Sequence, residues 1–344
     1  MNRLKVIGLV VVIFTILLSS FVFYMYQVVY APNFLIDQQA RYIYIRTGED
    51  FESLRNRMYD DYILNNSIAF SLMAKWMKYE DNIKPGKYLI EPKDNNLTVI
   101  RRLRSGDQTP VRVTFNNVRL LSELSEKICA EIELQPAELD SLLLLPETPI
   151  KYGFLQEDFK CMFLPNTYEV FWNVTAEELL DRLFLEYNRF WNDERKQKAE
   201  SLGFDPGEVC TLASIVESES RYFEESPVIA GLYINRLKRG MLLQADPTVV
   251  YATGDFTIKR VLNKDKLFDS PYNTYKYPGL PPGPIRMPDI RALDAVLNKD
   301  DNDYIYMCAK EDFSGYHNFT ASYVEHQRNA EKYRRALDKA KLYR

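Results

Sequence analysis

The sequence has few of the side chains from which metal sites are built. It contains only two histidines in 344 residues, His317 and His326, and neither lies in a pattern of cysteine or carboxylate ligands. The cysteines are also few and widely spaced: Cys129, Cys161, Cys210 and Cys308. Their separations match no metal-ligand spacing. We therefore predict no metal site and no cofactor.

Several catalytic and nucleotide-binding motifs are missing as well. The chain has no Gly-rich phosphate loop, no Gly-x-Ser-x-Gly segment and no Ser-x-x-Lys segment, which argues against P-loop enzymes and the common serine hydrolases. The formal net charge is −4. Because no basic stripe interleaved with aromatic residues occurs, nucleic acid is not a predicted partner.

The sequence does contain enough apolar material for a large folded chain. Hydrophobic residues make up 46% of it and aromatic residues 13%, while 27% are charged. These proportions predict packed cores and no extensive disorder. A length of 344 residues exceeds that of one typical domain, and we expect a membrane anchor followed by two folded units.

An uncharged apolar run occupies residues 6–26, and no charge occurs between Lys5 and Asp37. A helix needs about 20 apolar residues to cross a bilayer, so we predict a transmembrane helix at 6–28 behind a cytoplasmic tail at 1–5. A cleavable signal peptide is the alternative. Its apolar part is usually about 7–15 residues long and is followed by small residues, whereas this run ends in bulky ones.

The positive charges that precede the apolar run favour an N-terminus in the cytoplasm. The chain would then be a single-pass protein of the inner, cytoplasmic membrane, with its folded part in the periplasm or another extracytoplasmic space. Disulfides can form there, but single buried thiols are an equally good interpretation of the four cysteines. The sequence leaves both possibilities open.

Residues 31–40 are predicted to be a linker, and a small α+β module is predicted after it at 40–115. Its predicted elements are a strand at 41–45, helices at 51–58 and 68–77, a turn and strand at 84–90, a helix at 99–104 that stops at Gly106, and a strand at 111–115. We see no acid/base cluster in this module, and we expect it to serve in binding or spacing.

Helical patterns dominate the remaining residues, 116–344. Thr175 and Glu178 form a capping box, and an apolar stripe at 180–191 follows, which we interpret as core packing. Another helix is predicted to start at Asp205, an N-cap residue that is followed by Pro at the first helical position and Glu at N3.

The helix that begins after Asp205 carries a candidate acid near its far end. A face of small side chains with one carboxyl recurs at i, i+3, i+4 and i+7: Cys210, Ala213, Ser214 and Glu217. A carboxyl at a helix C-terminus among apolar neighbours is disfavoured as an anion, so the pKa of Glu217 should rise toward that of a general acid. A solvated helix end is the competing interpretation, and three more acids fit equally well: Glu219, Glu224 and Glu225.

Two downstream segments have an unusual composition for loops. Within residues 240–248, polar Gln244, Asp246 and Thr248 follow an apolar run. Residues 269–284 contain five prolines and three tyrosines together with Asn273. A stiff loop with aromatic faces and an amide suits sugars, although a structural loop packed on the core is an equally good interpretation.

Over most of its length the chain resembles the YceG-like (MltG) family of endolytic murein transglycosylases. The matching stretches are residues 163–168 (FLPNTY), 212–217 (LASIVE), 233–237 (YINRL), 243–248 (LQADPT), 272–275 (YNTY) and 279–283 (GLPPG). Three segments also resemble the wider lysozyme-like transglycosylase pattern: 217–218, 242–244 and 272–273.

The resemblance implies an α+β protein with an N-terminal transmembrane helix, a small LysM-like module, and a mostly helical, lysozyme-like catalytic domain at 116–344. It implies that Glu217 is the catalytic residue. The substrate-binding residues that it implies are Ser218, Asn235, Gln244, Asp246, Thr248, Asn273 and Tyr275. Arg236, Lys238 and Arg286 are weaker candidates for binding the carboxylates of the peptide stem.

The implied activity is cleavage of the bond between N-acetylmuramic acid and N-acetylglucosamine, with formation of a 1,6-anhydro end. The implied partners are peptidoglycan strands, the membrane, and proteins of cell-wall synthesis or division. Two alternatives remain. One is a hydrolytic muramidase with Asp246 or Glu219 as a second carboxylate, and the other is a non-enzymatic scaffold that binds peptidoglycan.

Overall fold

The computed structural model of the protein describes residues 3–36 and 39–340. Within these residues the chain is mostly helical with three two-stranded sheets, which confirms the predicted α+β class. The first two residues of the predicted tail at 1–5 and the last four of the predicted domain at 116–344 lie outside the described residues.

The chain divides into two compact units. Unit 1 comprises Met1–Val113, Glu131–Leu134 and Glu169–Thr175, and unit 2 comprises Thr114–Ala130, Gln135–Tyr168 and Ala176–Arg344. The helices are α1 (Arg3–Tyr30), α2 (Phe51–Asp60), α3 (Ser67–Trp76), α4 (Asn96–Ser105), α5 (Leu121–Cys129), α6 (Pro136–Leu143), α7 (Glu147–Lys151), α8 (Ala176–Phe190), α9 (Asp193–Leu202), α10 (Pro206–Glu219), α11 (Ser226–Lys238), α12 (Asp246–Thr253), α13 (Ile290–Leu297) and α14 (Tyr323–Lys339). The strands are β1 (Arg41–Ile45), β2 (Gly86–Ile90), β3 (Val111–Phe115), β4 (Asn166–Val170), β5 (Tyr306–Ala309) and β6 (His317–Thr320).

Helix α1 is the one helix in the described part of the chain that is long and apolar enough to cross a membrane. It has 28 residues, which is more than the roughly 20 that a bilayer requires. Its apolar side chains are exposed up to Tyr26, as lipid-facing residues would be. The finding agrees with the predicted membrane anchor.

Unit 1 is built from strands β1 and β2 and helices α2 to α4. The strands pair antiparallel, with Arg41 opposite Ile90. Each of the three helices starts after an Asp or Asn whose side chain accepts the N–H of the third helical residue: Asp50, Asn66 and Asn95. Helix α4 ends at Gly106, where φ is +77°, because glycine enters the left-handed region without a Cβ clash.

The predicted linker at 31–40 is wrong for Asn33 and Phe34, which are buried in unit 1, whereas Pro32, Leu35 and residues 39–40 are exposed. Phe34 is buried in the core, and Val28 at the end of α1 is buried in the same cluster. The Asn33 side-chain amide donates to the carbonyl of Asn66 and to Oδ1 of Asn96. Composition did not reveal this packing because the residues that anchor the segment lie more than 30 positions further along the chain.

Unit 2 has its core around α10, α11 and α13. Helix α10 begins as predicted: Asp205 accepts the N–H of Glu208, and the Glu208 side chain accepts the N–H of Asp205. Eight consecutive residues, 209–216, are buried. The apolar stripe of α8 is core packing as predicted, with Leu180 and Leu183 buried. All four cysteines are free thiols.

Candidate active site

A cavity of about 1220 Å³ opens in unit 2 at the C-terminal end of α10. It is larger than a typical small-molecule pocket of about 300–1,000 Å³, as a site for an oligomeric ligand would be. Three carboxylates line it: Glu217, Glu219 and Asp246. Five basic residues also line it: Arg119, Arg221, Lys259, Arg260 and Arg286.

Glu217 reaches the cavity because α10 runs through the core and emerges only at its last turn. Ser214, one turn earlier, is fully buried and fixes a neighbouring segment. Its hydroxyl donates to the carbonyl of Thr211 and accepts the N–H of Ile285 at 3.0 Å. This contact holds the segment that includes Arg286 against the C-terminal half of α10.

The carboxyl of Glu217 has two direct partners. Its Oε1 lies 3.2 Å from Nη2 of Arg286, and its Oε2 accepts the N–H of Asp289 at 2.8 Å. Only 13% of either charged side chain is exposed. Burial raises the pKa of Glu217, whereas Arg286 and the Asp289 N–H oppose the rise. Burial and the two partners therefore act on the pKa of Glu217 in opposite directions, and burial is the larger effect.

The two other carboxylates of the cavity are each held by a tyrosine. The Tyr233 hydroxyl donates to Oε1 of Glu219 at 2.7 Å, and the Tyr275 hydroxyl donates to Oδ1 of Asp246 at 2.6 Å. Burial raises the pKa of Glu219 to about 7, and the Asp246 charge adds to that rise. The cavity thus contains a second carboxyl that is protonated in part near neutral pH.

One wall of the cavity has an aromatic face. Tyr251 lines it, and the Nζ of buried Lys160 donates to the Tyr251 hydroxyl at 2.8 Å. The Tyr272 ring lies behind, with its centroid 4.9 Å from that of Tyr251. Aromatic faces of this kind can pack against sugar rings.

A model of the YceG-like family matches residues 43–332. The chain belongs to the YceG-like family. The match covers the cavity except for two α14 residues, Tyr333 and Leu337, which line it beyond the matched range.

This YceG-like protein is similar to proteins from Bacillus subtilis, Streptococcus pneumoniae and Listeria monocytogenes. The endolytic murein transglycosylase of Bacillus subtilis is 28% identical over 85% of this chain and 84% of its own length. That of Streptococcus pneumoniae serotype 2 is 25% identical over 90% of this chain, which spans only 62% of that relative. A crystal structure of a yceG-like protein from Listeria monocytogenes has a TM-score of 0.56 at 25% identity, covering 85% of this chain and 99% of the other.

Three of the substrate-binding residues predicted for this YceG-like protein lie at the cavity or touch its wall. Ser218 lines the cavity, although its hydroxyl donates back to the carbonyl of Ser214. Asp246 lines it at the start of α12, and Tyr275 contacts Asp246. Together with Glu217 they form one cluster, and their roles in binding remain predictions.

The other four predicted binding residues stand outside the cavity wall as the described residues define it. Thr248 and Asn273 are fully buried, and the Asn273 amide donates to the carbonyls of Lys266 and Phe268. Gln244 is exposed with φ at +53°. The Asn235 amide donates to the carbonyl of Asn302. The contacts of Thr248, Asn273 and Asn235 are structural.

Two of the basic residues suggested for binding the peptide stem, Arg236 and Arg286, have partners within the protein. Arg236 is buried and donates to the carbonyls of Ile305 and Leu243, so its assignment to the stem is wrong. Arg286 pairs with Glu217 instead.

Sequence reasoning missed that Arg286 and the Asp289 N–H are the partners of Glu217. The path of the segment that carries Arg286 depends on Gly283, where an added Cβ would lie 2.0 Å from the carbonyl oxygen of Glu157. A glycine at a close approach of two backbones fixes the path of the residues after it.

Proposed function

We propose that the protein is an endolytic murein transglycosylase that cuts between N-acetylmuramic acid and N-acetylglucosamine in nascent peptidoglycan, with Glu217 as its single general acid and base. The observation that carries the proposal is the environment of Glu217, a buried carboxyl of raised pKa at a large cavity. The names of the relatives point to the same reaction. Such an activity would help to terminate the growth of glycan strands.

In the first step, protonated Glu217 gives its proton to the glycosidic oxygen as the bond from that oxygen to muramyl C1 breaks. The N-acetylglucosamine leaves with a free hydroxyl. Positive charge develops on C1, and negative charge develops on Glu217. Arg286 and the Asp289 N–H lie at the two oxygens that take up this negative charge, so they stabilise the products of proton transfer.

In the second step, the Glu217 carboxylate takes the proton of the muramyl C6 hydroxyl while O6 forms a bond to C1. The proton returns to Glu217, a 1,6-anhydro ring closes, and no water is consumed. Glycoside hydrolases need a second carboxyl to activate water or to act as a nucleophile. A single acid that is reused as a base removes this need. Of the three residues predicted to orient the sugars, Tyr275 keeps that proposed role because it contacts Asp246 at the cavity, whereas Gln244 and Asn273 lie outside the cavity wall that the described residues define.

The finer architecture belongs to the same proposal. We infer a transmembrane helix at 6–28 with the N-terminus in the cytoplasm, a LysM-like module at 40–115 and a lysozyme-like catalytic domain at 116–344. The apolar helix α1 and the division into two units support this arrangement. The chain would work at the outer face of the cytoplasmic membrane, near the proteins of cell-wall synthesis or division.

A hydrolytic muramidase is the second candidate, because two more carboxylates line the same cavity. Glu219 and Asp246 each have a tyrosine hydroxyl as a partner, and either could activate water. Hydrolysis would leave reducing N-acetylmuramic acid ends, whereas the proposed reaction leaves 1,6-anhydro ends. The chemical end group therefore separates the two candidates.

The test is digestion of purified peptidoglycan by the full-length protein in detergent, with muropeptides identified by mass spectrometry. We expect 1,6-anhydro products from the parent protein and none from Glu217→Gln. Glu224→Gln is the matched control, because Glu224 is an exposed carboxylate seven residues away, and it should retain the activity.

Each alternative has its own outcome in that digest. Reducing ends without anhydro ends would show that the protein is a hydrolytic muramidase and not a transglycosylase. Full activity of Glu217→Gln would reject Glu217 as the acid. If the parent protein binds peptidoglycan but does not cleave it, the non-enzymatic scaffold is the remaining interpretation.

A further inference from the structure

Helix α3 of unit 1 has an exposed face that is apolar. Its inward face contains Ala69, Phe70, Met73 and Ala74, which are buried. Its outward face contains Ile68, Leu72 and Trp76 at i, i+4 and i+8, and these side chains are 73%, 41% and 67% exposed. A surface helix usually places charged or polar residues on its outer face. We therefore expect the apolar outer face of α3 to contact another surface.

The other two helices that pack on this core, α2 and α4, have mostly polar exposed positions. Those of α2 include one aromatic residue, Tyr59, and the polar ones are Glu52, Ser53, Asn56 and Asp60 on α2 and Thr98, Arg101, Arg104 and Ser105 on α4. The apolar outer face is therefore particular to α3 rather than a general property of the unit.

Helix α3 is tied to the end of α1 by a buried network of asparagines. The Asn96 side chain donates to the carbonyl of Val28 at 2.8 Å and accepts from Asn33 at 2.7 Å. Asn33 also accepts the N–H of Asn66, the N-cap of α3, at 2.7 Å. Because Val28 is itself buried in the core of unit 1, the start of α3 is held beside the last turn of α1.

The length of α1 fixes where this junction stands relative to a bilayer. The first 20 uncharged residues after Lys5 end at Met25, and about 20 residues span the roughly 30 Å hydrocarbon core. Val28 is three residues further on, which at 1.5 Å per residue is about 4.5 Å. The headgroup layer extends about 5–7 Å beyond the hydrocarbon on each side. Val28, whose carbonyl is hydrogen bonded to Asn96, therefore lies within the headgroup layer.

We propose that the face formed by Ile68, Leu72 and Trp76 rests in the headgroup layer of the bilayer that α1 crosses, so that unit 1 lies on the membrane surface. The inference depends on the anchoring by α1 proposed above. Tryptophan favours this interfacial layer, and an amphipathic helix can lie in it with its apolar side chains toward the acyl chains. Lys75, exposed between Leu72 and Trp76, would meet anionic headgroups.

Tryptophan fluorescence of the full-length protein tests this proposal. The chain has three tryptophans, Trp76, Trp172 and Trp191, and none lies in α1. The protein is reconstituted into phosphatidylethanolamine–phosphatidylglycerol vesicles that contain lipids brominated either near the top or near the end of the acyl chain. We expect quenching by the shallow bromines, weaker quenching by the deep ones, and loss of the shallow quenching in Trp76→Phe.

Trp172→Phe is the matched control, because Trp172 also lies in unit 1 but packs against Tyr44, and it should leave the quenching unchanged. Quenching that survives Trp76→Phe, or no quenching at all, would overturn the proposal. Alkaline extraction of the same vesicles separates the two ideas. Extraction of the protein would show that α1 does not anchor it, and both the anchoring and the contact of α3 would be wrong. If the protein stays in the membrane but Trp76 is not quenched, only the contact of α3 is disproved.

Discussion

Glu217 experiences two opposed electrostatic influences. It stands near the C-terminal end of α10 in a buried position, which disfavours the anion. It also meets Arg286 and the N–H of Asp289, which immediately precedes α13, and both favour the anion. Burial is the largest of these effects, so the pKa of Glu217 is raised. A residue that must be first an acid and then a base needs such a balance, because neither protonation state may be too stable.

Removal of Arg286 should shift the pH dependence of the reaction. Arg286 lowers the pKa of Glu217, so Arg286→Gln should raise that pKa further. The first step needs the protonated acid, whose population falls as pH rises through the pKa. The alkaline limb of kcat should therefore move to higher pH, while the maximal kcat falls because the anion is less stabilised.

The measurement is the rate of anhydro-product formation as a function of pH. Arg189→Gln is a suitable control, since Arg189 lies on the surface of α8 and is 60% exposed. An alkaline limb that stays in place, or moves to lower pH, in Arg286→Gln would show that the group that titrates is not Glu217.

Glu219 should make the protein less stable as pH rises. Its pKa is about 7 in the folded protein, against 4.5 for the ordinary side chain. The folded state therefore holds the proton more tightly than the unfolded state. The contribution of Glu219 to the free energy of unfolding is fully present below about pH 4.5 and is lost by about pH 7, an amount of the order of 3 kcal/mol.

Glu219→Gln should remove most of this fall, because the amide oxygen still accepts from Tyr233 but carries no charge. Thermal unfolding in detergent, recorded across this pH range, compares the parent with Glu219→Gln and with the exposed control Glu224→Gln. The parent and Glu219→Gln should melt alike at the acidic end, and Glu219→Gln should be the more stable at neutral pH. Parallel pH curves for all three would disprove the effect.

At this scale the sequence predicted a candidate acid, Glu217, but not its partners. The periodicity of α10 put Glu217 at the end of a buried helix, yet it could not separate Glu217 from its acidic neighbours. The structure sets two of them apart by environment, since Glu224 is exposed and Glu225 is paired with His317, whereas Glu219 lines the same cavity as Glu217. Arg286 was out of reach, because the bond from Ile285 to Ser214 that brings it to Glu217 joins distant parts of the chain.

Among the elements, the segment between α12 and α13 depends on glycine at two positions for different reasons. At Gly283 an added Cβ would lie 2.0 Å from the carbonyl oxygen of Glu157, so the segment that carries Arg286 would have to move. At Gly279, φ is +85° and a Cβ would meet nothing within 4 Å. The first position is thus limited by space and the second by backbone conformation.

We expect Gly283→Ala to lower the free energy of unfolding by about 1–3 kcal/mol and to reduce the activity strongly, because Arg286 and the Asp289 N–H shift away from Glu217. Gly279→Ala should cost about 1 kcal/mol in backbone strain and keep the activity. Thermal unfolding and the peptidoglycan digest measure both quantities. Equal activities of the two variants would mean that the path of this segment does not position Arg286.

Elements with local signals were predictable, and elements that depend on distant contacts were not. The starts of α10 and α8 and the end of α4 at Gly106 follow from residues next to them in sequence. The strands of the first two sheets show the same difference between local and distant signals. The alternation in β1 and β3 was visible, whereas β4, which pairs with β3, lies in a stretch identified only by resemblance.

For the molecule as a whole, the end of the apolar helix α1 is part of a folded unit. Val28 and Phe34 are buried with the core of unit 1, and Asn33 and Asn96 hydrogen bond across it. A boundary drawn at residue 40, where the strand pattern begins, therefore cuts through the packing. An anchor that is built into the core transmits its orientation to unit 1, which a flexible linker would not do.

Two shortened chains should consequently differ in stability. A chain that begins at Gln27 keeps Val28, Asn33 and Phe34, whereas a chain that begins at residue 40 loses two buried apolar side chains worth about 2 kcal/mol each. It also leaves the buried Asn96 side chain without its partners. We expect the shorter chain to be less stable by about 4 kcal/mol or more, with faster amide exchange in β1 and β2.

Asn33→Ala in the longer chain should have a stability between those of the two shortened chains, because it removes the hydrogen bonds but keeps Val28 and Phe34. If both chains unfold at the same temperature with the same exchange rates, residues 28–36 act only as a tether, and unit 1 is independent of the helix that precedes it.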